Sequence, residues 1–314
     1  MAIARNIEKD RGLTARIFVT GLLLVVLYGA VMAILWAVGI KLYLIVLVAA
    51  ALLFAQYWFS DKIALWGMGG KEVTPEQAPQ LHGAIDRLCA LADMPKPRVA
   101  IADTDVPNAF ATGRSPKAAV VCATTGLLRR LDEPEIEAVL AHELSHVAHR
   151  DVAIMTIAST LGVVAGLTTR AMFYAGLFGG GGRGGGNNQG AQQAALIEMA
   201  VMLVSIIVYA ISFLLTRALS RYRELAADRS GAILTGRPSV LASALVKITG
   251  EMGRIPTRDL RQAEPFNAFF FTPAIAQGKS GGGISLASMF STHPSLERRL
   301  AQLAELEAQL GQPS

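Results

Sequence analysis

Four stretches of this chain carry no charged residue and are apolar enough to cross a bilayer: Ile17–Ile40, Leu42–Ser60, Val152–Thr169 and Met199–Thr216. Each falls near the ~17–25 residues that a spanning helix requires. A backbone in hydrocarbon must satisfy its own hydrogen bonds, so such stretches fold as helices. The alternative for any one of them is a helix buried in a protein core. Composition agrees with spans: 17% of residues are charged, against about 25% in soluble domains. Ile17–Ile40 is too long for a signal-peptide core, and no small-residue cleavage site follows it. It reads as an uncleaved span, joined to the second by a turn around Lys41.

Basic residues set the orientation. Arg5, Lys9, Arg11 and Arg16 precede the first span, and Arg217, Arg221 and Arg223 follow the fourth. Both termini and the polar sequence from Asp61 to Asp151 are therefore expected on the cytoplasmic side. The connection Gly179–Gly190 reads as a flexible glycine linker. It is no phosphate loop, because no Lys-Ser/Thr pair follows it and no strand precedes it. The net charge of +5 suits anionic lipid, and without a longer basic run no nucleic-acid partner is expected. Cys89 and Cys122 form no CxxC and read as buried small residues.

The polar sequence falls into two parts. Thr74–Met94 has helical periodicity, and His82 on it reads as a surface or packing residue. Arg98–Ala102 and Ala118–Ala123 read as strands, with Asn108–Thr112 a third. A helix begins after Asp132, its N-cap, with Pro134 in the first turn and Glu135 at the positive helix end. Further helices are expected around Tyr222–Leu234 and Pro238–Gly250. Gly253–Ser291 reads as irregular. The last helix starts near Pro294, with Leu296, Leu300, Leu303 and Leu310 on one stripe. The organisation expected is a membrane hairpin (1–60), a polar part with a small sheet (61–151), a second hairpin (152–216) and a second polar part (217–314).

The stretch "AVLAHELSHVAHRD" carries three of the five histidines. His142 and His146 lie one turn apart, so their rings project from one helix face about 6 Å apart. Two such imidazoles can share a zinc ion. Glu143 lies about 100° around the helix, within reach of a water on that zinc. This H-E-x-x-H pattern is the arrangement of a zinc peptidase. Surface histidines are the bland alternative. His149 is roughly 10 Å along the axis from His142, too far to close the same site. Glu224, eight residues after the fourth span, is the best third ligand. If both flanking helices continue out of the membrane, His146 and Glu224 stand at roughly 9 and 12 Å from its surface. A salt bridge of Glu224 with Arg221 or Arg223 is the alternative. Asp228, one turn on, is suited to accept a hydrogen bond from a ligand imidazole.

"HELSHVAHRD", "ELAAD", "PNAFATG" and "STHPSLERRL" together resemble the HtpX-type membrane zinc metalloproteases, relatives of the CAAX prenyl endoprotease and Oma families. The resemblance covers nearly the whole chain. It implies a helical membrane protein of about four spans with a mostly α, α+β zincin-like (gluzincin) cytoplasmic protease domain. It implies one Zn2+ on His142, His146 and Glu224, with Glu143 as general base. It implies that Asn108, Ala109 and Phe110 lie on an edge strand that binds substrate, through backbone groups near Asn108 and Ala109. It implies that His293 and Arg299 face the site and stabilise an oxyanion. Arg299 could instead pair with Glu297 or Glu305. The implied activity is zinc metalloendopeptidase cleavage of damaged or misfolded membrane proteins in stress-response quality control, in a bacterial inner membrane. A non-catalytic zinc adaptor is the competing reading, and the intact Glu143 argues against it. A transporter is disfavoured by spans almost devoid of ionisable groups. Phe266 and Phe269–Phe271 suggest a mobile cover or a membrane-contacting loop.

Overall fold

The computed structural model describes residues 43–155, 188–252 and 293–311, with isolated positions at 15, 18, 19, 22, 23, 26 and 166. Most of the first and third apolar stretches, most of the glycine linker and the Phe-rich segment lie outside the described residues. The chain divides into two compact units. One comprises Met1–Ile17, Gln56–Ile154 and Arg217–Ser314; the other comprises Phe18–Ala55 and Met155–Thr216.

In the apolar unit, helix α1 (Tyr43–Trp58) occupies the second apolar stretch. The fourth belongs to a 48-residue helix, here α6 (Asn188–Thr235). Its portion Met202–Thr235 is the one helix among the described residues that is long and apolar enough to cross a membrane, and only 22% of its most apolar window is buried. That fraction is far below what a core helix would show. The helix begins at Asn188, so the last residues of the supposed glycine linker are helical. It also runs unbroken through Tyr222–Leu234, so the helix of the fourth stretch continues past Glu224.

The other unit is built on a four-stranded sheet of order β1-β2-β4-β3. Its strands are β1 (Gly70–Glu72), β2 (Arg98–Ala102), β3 (Ala109–Thr112) and β4 (Val120–Thr124). β2 and β4 are parallel, while β1–β2 and β3–β4 are antiparallel. β4 starts later than expected because Pro116–Ala118 forms a 3-10 turn. β1 was not anticipated, since "GKE" has no β-branched or alternating signal. Central β4 is buried along its whole length, as its unbroken apolar sequence requires.

Side chains alternate between the two faces of the sheet. Val99, Val121, Ala123 and Ala109 join the large core with α3 (Pro79–Ala92), α5 (Glu133–Ala148), α7 (Pro238–Met252) and α8 (Leu296–Leu310). Ala100, Ala102, Phe110, Val120 and Cys122 face the other way, onto Ala64, Leu65 and Met68 of α2 (Ser60–Met68). α3 starts at Pro79, five residues after Thr74, because Thr74–Ala78 closes into a turn. His82 is buried and its Nε2 meets the Val73 carbonyl at 3.0 Å. Cys89 and Cys122 are both buried free thiols. On α8 the buried side chains are Arg299, Leu303 and Leu306. Leu310, expected on that stripe, is 49% exposed.

α5 follows the short α4 (Thr125–Arg130) and opens on a capping box. The Glu135 amide donates to Asp132 Oδ1 at 3.1 Å, and the Asp132 amide donates to Glu135 Oε2 at 3.2 Å. Two otherwise orphaned donors are thus satisfied. Glu135 also accepts from Ser243 Oγ and Lys247 Nζ, both at 2.7 Å, tying the start of α5 to α7.

Candidate metal centre

α5 and α6 approach closely enough that a Cβ on Gly231 would lie 2.8 Å from the His142 amide nitrogen and 2.9 Å from its Cα. Any other residue at Gly231 would force the helices apart. Two turns earlier on α6, this contact sets Glu224 opposite the two histidines. One ligand atom from each of His142, His146 and Glu224 lies within 4.8 Å of the others. The two Nε2 atoms are 3.2 Å apart. Glu224 Oε2 is 3.8 Å from His142 Nε2, and Oε1 is 3.5 Å from His146 Nε2. His142 and Glu224 are buried.

Each imidazole meets a carboxylate at its other nitrogen. His142 Nδ1 lies 2.9 Å from Asp228 Oδ1. His146 Nδ1 lies 2.5 Å from Asp151 Oδ2. A carboxylate on Nδ1 keeps the proton there and leaves the Nε2 lone pair for a metal. Two converging Nε2 atoms and a carboxylate are the donor set that zinc takes in open, water-accessible sites. The residues therefore fit zinc.

No periodic signal in the sequence marks Asp151 for this role. In a continuous helix it would lie about 140° around from His146 and could not reach its ring. The helix is interrupted instead. α5 ends at Ala148, His149 is its C-cap, and Arg150 takes a left-handed φ of 56°. Residues 151–155 are helical again. That kink turns the Asp151 carboxylate back onto His146, where Arg223 Nε also meets it at 3.0 Å. The expectation of one helix running on from the histidines is corrected here. The one local hint is "HRD" at a helix end, but no periodicity encodes a one-residue reversal.

Arg299 lies behind Asp228. Its Nε donates to Asp228 Oδ2 at 2.7 Å and its Nη2 to Oδ1 at 2.6 Å. Neither Glu297 nor Glu305 is the partner. A buried carboxylate demands such pairing, and the planar fork supplies it. His293, also buried, brings Nδ1 to 3.2 Å from Glu224 Oε2.

Glu143 is held by the edge strand: the Ala111 amide donates to Glu143 Oε2 at 2.9 Å. Strand parity decides which other groups of β3 face that way. Asn108 faces β4, where its carbonyl accepts the Thr124 amide at 2.9 Å and its amide donates to Thr124 Oγ1 at 2.9 Å. Phe110, two residues on and opposite Cys122, faces β4 likewise, and its ring is buried among the α2-side residues. The outward backbone groups are those of Ala109 and Ala111. Of the backbone groups expected to meet substrate, near Asn108 and Ala109, those of Asn108 are instead taken up by Thr124.

Electrostatics follow from burial and neighbours. Burial pushes the Glu143 carboxyl up to about 8, with Glu224 adding to the rise and His146 opposing it. Burial alone would raise Glu224, yet His293, His146 and His142 hold it well below the ordinary carboxylate range. Burial pushes His142 down, towards the neutral form that a metal needs, against the pull of Asp228. Burial would also raise Asp151, but Arg223 and His146 hold it at about 2.

A model of peptidase family M48 matches residues 75–307. A protease HtpX homolog of Streptomyces coelicolor is 57% identical over 306 residues, covering 97% of this chain and 96% of that protein. Another, of Moorella thermoacetica, is 53% identical over 307 residues and 98% of each chain. The crystal structure of S. mikatae Ste24p is similar in fold, with a TM-score of 0.54 at 16% identity, covering 92% of this chain and 67% of that one. The H-E-x-x-H helix, the carboxylate of α6 and a family match across both polar parts agree: the chain belongs to peptidase family M48, among its HtpX-type proteases.

Proposed function

We propose that this protein is a membrane-embedded, zinc-dependent endopeptidase with its site on the cytoplasmic side. One observation carries the reading: His142, His146 and Glu224 converge within 4.8 Å while Glu143, on the same helix as the histidines, accepts from the Ala111 amide of the edge strand. Zinc bound there would polarise the scissile carbonyl and acidify water. The remaining chemistry belongs to the chain. Glu143, held beside the ligand imidazoles by the Ala111 amide, is suited to take a proton from the attacking water and pass it to the leaving amine. Ala111 orients that carboxylate. The outward edge at Ala109 suits an extended peptide added as a strand. His293, against Glu224, supplies a donor at the reacting carbonyl. Arg299 we assign to positioning, because its fork is spent on Asp228, which steadies His142.

The substrates proposed are damaged or misfolded membrane proteins, cleaved in quality control under stress, and the location a bacterial inner membrane. The apolar helices and the HtpX-type relatives support this reading. A zinc adaptor without catalysis is the competing reading, and a buried base on the metal helix has no use in it. The test is cleavage of an unfolded protein by purified, zinc-reconstituted enzyme beside Glu143→Gln. Loss of cleavage with zinc retained is expected. Equal cleavage by the variant would refute the mechanism, and inactivity of both would favour the adaptor.

A further inference from the structure

Helix α2 has two unlike faces. Asp61 and Ala64 are buried, and Leu65 and Met68 pack on the sheet. Phe59, Ile63 and Trp66 are exposed, Trp66 by 85%. Their spacing puts them on one stripe. A Phe-Ile-Trp stripe left in water is unfavourable and marks a surface that meets something apolar.

The surroundings identify the partner. The chain enters α2 from the charge-free α1 through a single turn residue, Phe59. Cations stand beside the aromatic rings at this junction. The Arg114 guanidinium lies 4.2 Å over the Trp58 ring, and Lys62 Nζ lies 5.7 Å from the Phe59 ring centroid. Tyr57 Oη donates to the Arg114 carbonyl at 2.8 Å. Aromatic rings interleaved with Lys and Arg where an apolar helix ends are the composition of a bilayer–water boundary. A short helix with Trp and Phe on one face and cations alongside lies in that boundary.

We propose that α2 lies flat in the lipid headgroup region, with Trp66 as its anchor, and fixes the sheet at the membrane surface. The proposal rests on the membrane reading above. The attachment is rigid, since Arg98 pairs with both Asp61 of α2 and Glu72 of β1. α2 also packs against β3, so the substrate edge stands about one helix diameter, ~10 Å, from lipid. Polypeptide emerging from or lying on the bilayer is the substrate class such placement favours.

The test uses the full chain in nanodiscs containing anionic lipid. Trp36→Phe with Trp58→Phe leaves Trp66 alone of the three tryptophans. Lipids brominated near the headgroup should quench its emission more than lipids brominated near the bilayer centre, and aqueous iodide should quench it little. Quenching by iodide with no effect of brominated lipid overturns the proposal. Protection from both overturns it too, because Trp66 is then covered by protein such as a second copy. A companion variant retaining only Trp36, within the first apolar stretch, separates the two readings. Deep bromines that quench Trp36 while no bromine quenches Trp66 sink this proposal alone; no quenching of either sinks the membrane reading as well. If the double variant fails to fold, the difference in emission between the parent and Trp66→Phe isolates the same residue.

Discussion

Gly231→Ala adds one methyl at the closest approach of α5 and α6. Its carbon would stand 2.8 Å from the His142 nitrogen, 2.9 Å from its Cα and 3.1 Å from the Ala141 carbonyl carbon. Non-bonded carbons rest at about 3.5 Å or more, so the two backbones must separate locally by about 0.6 Å. All three clashing atoms are backbone, and no side chain can rotate away. Overpacking of this kind costs about 1–3 kcal/mol. The separation also carries Glu224 away from the two imidazoles, and metal–ligand distances tolerate only about 0.2 Å. The expected loss in zinc affinity is about 10–100-fold, the size seen when groups that position ligands are disturbed. The assay is competition for zinc with a chromophoric chelator, alongside thermal melts of the metal-free protein. Gly250→Ala is the control: it also lies in a helix, but its added Cβ meets nothing within 4 Å. There a stabilisation of about 0.4–1 kcal/mol and unchanged zinc binding are expected. Gly231→Ala with parental zinc affinity would refute the claim that this contact sets the ligand geometry.

The same contacts lead to other expected outcomes. Glu224→Gln should lower zinc content measured by atomic absorption after dialysis; unchanged content would leave the third ligand unassigned. Arg299→Lys keeps a charge but loses the fork on Asp228, so zinc affinity should drop about 10-fold or more, whereas Arg299→Ala, which strands a buried carboxylate, should cost about 3–5 kcal/mol in denaturant melts. Glu143 titrates at about 8 when folded, against an ordinary 4.5. Between those values the unfolded chain sheds a proton that the folded chain keeps, so metal-free stability falls as pH rises. Glu143→Gln should therefore melt above the parent at pH 8 and level with it near pH 4, while losing activity. Asp151, held at about 2 against 3.8, has the opposite sign: its contribution is full above its ordinary value and is lost as pH falls through about 2, so the melting deficit of Asp151→Asn should shrink on acidification.

Much of the site was legible because it is local. His142, Glu143 and His146 share one helical turn, and Asp132 with Glu135 carries the capping box of α5 in four residues. β2 was readable to the residue, because Arg98–Ala102 is a short apolar run bounded by polar and proline residues. Strand parity at β3 was not readable from "NAF", since the sequence does not say which edge pairs with β4. Asn108 turns to Thr124 and Ala111 to Glu143 only once the register is set.

The sequence by itself determined the apolar helices of the second and fourth stretches, the candidate ligand types and the order in which they occur. Those depend on composition and on spacing within one element. Tertiary structure alone decided which carboxylate steadies which imidazole. Asp151 reaches His146 through a left-handed residue at Arg150, and Asp228 reaches His142 because Gly231 lets two helices touch. Both are contacts between backbones at angstrom range, set by close packing and a single dihedral, and neither leaves a periodic trace in the chain.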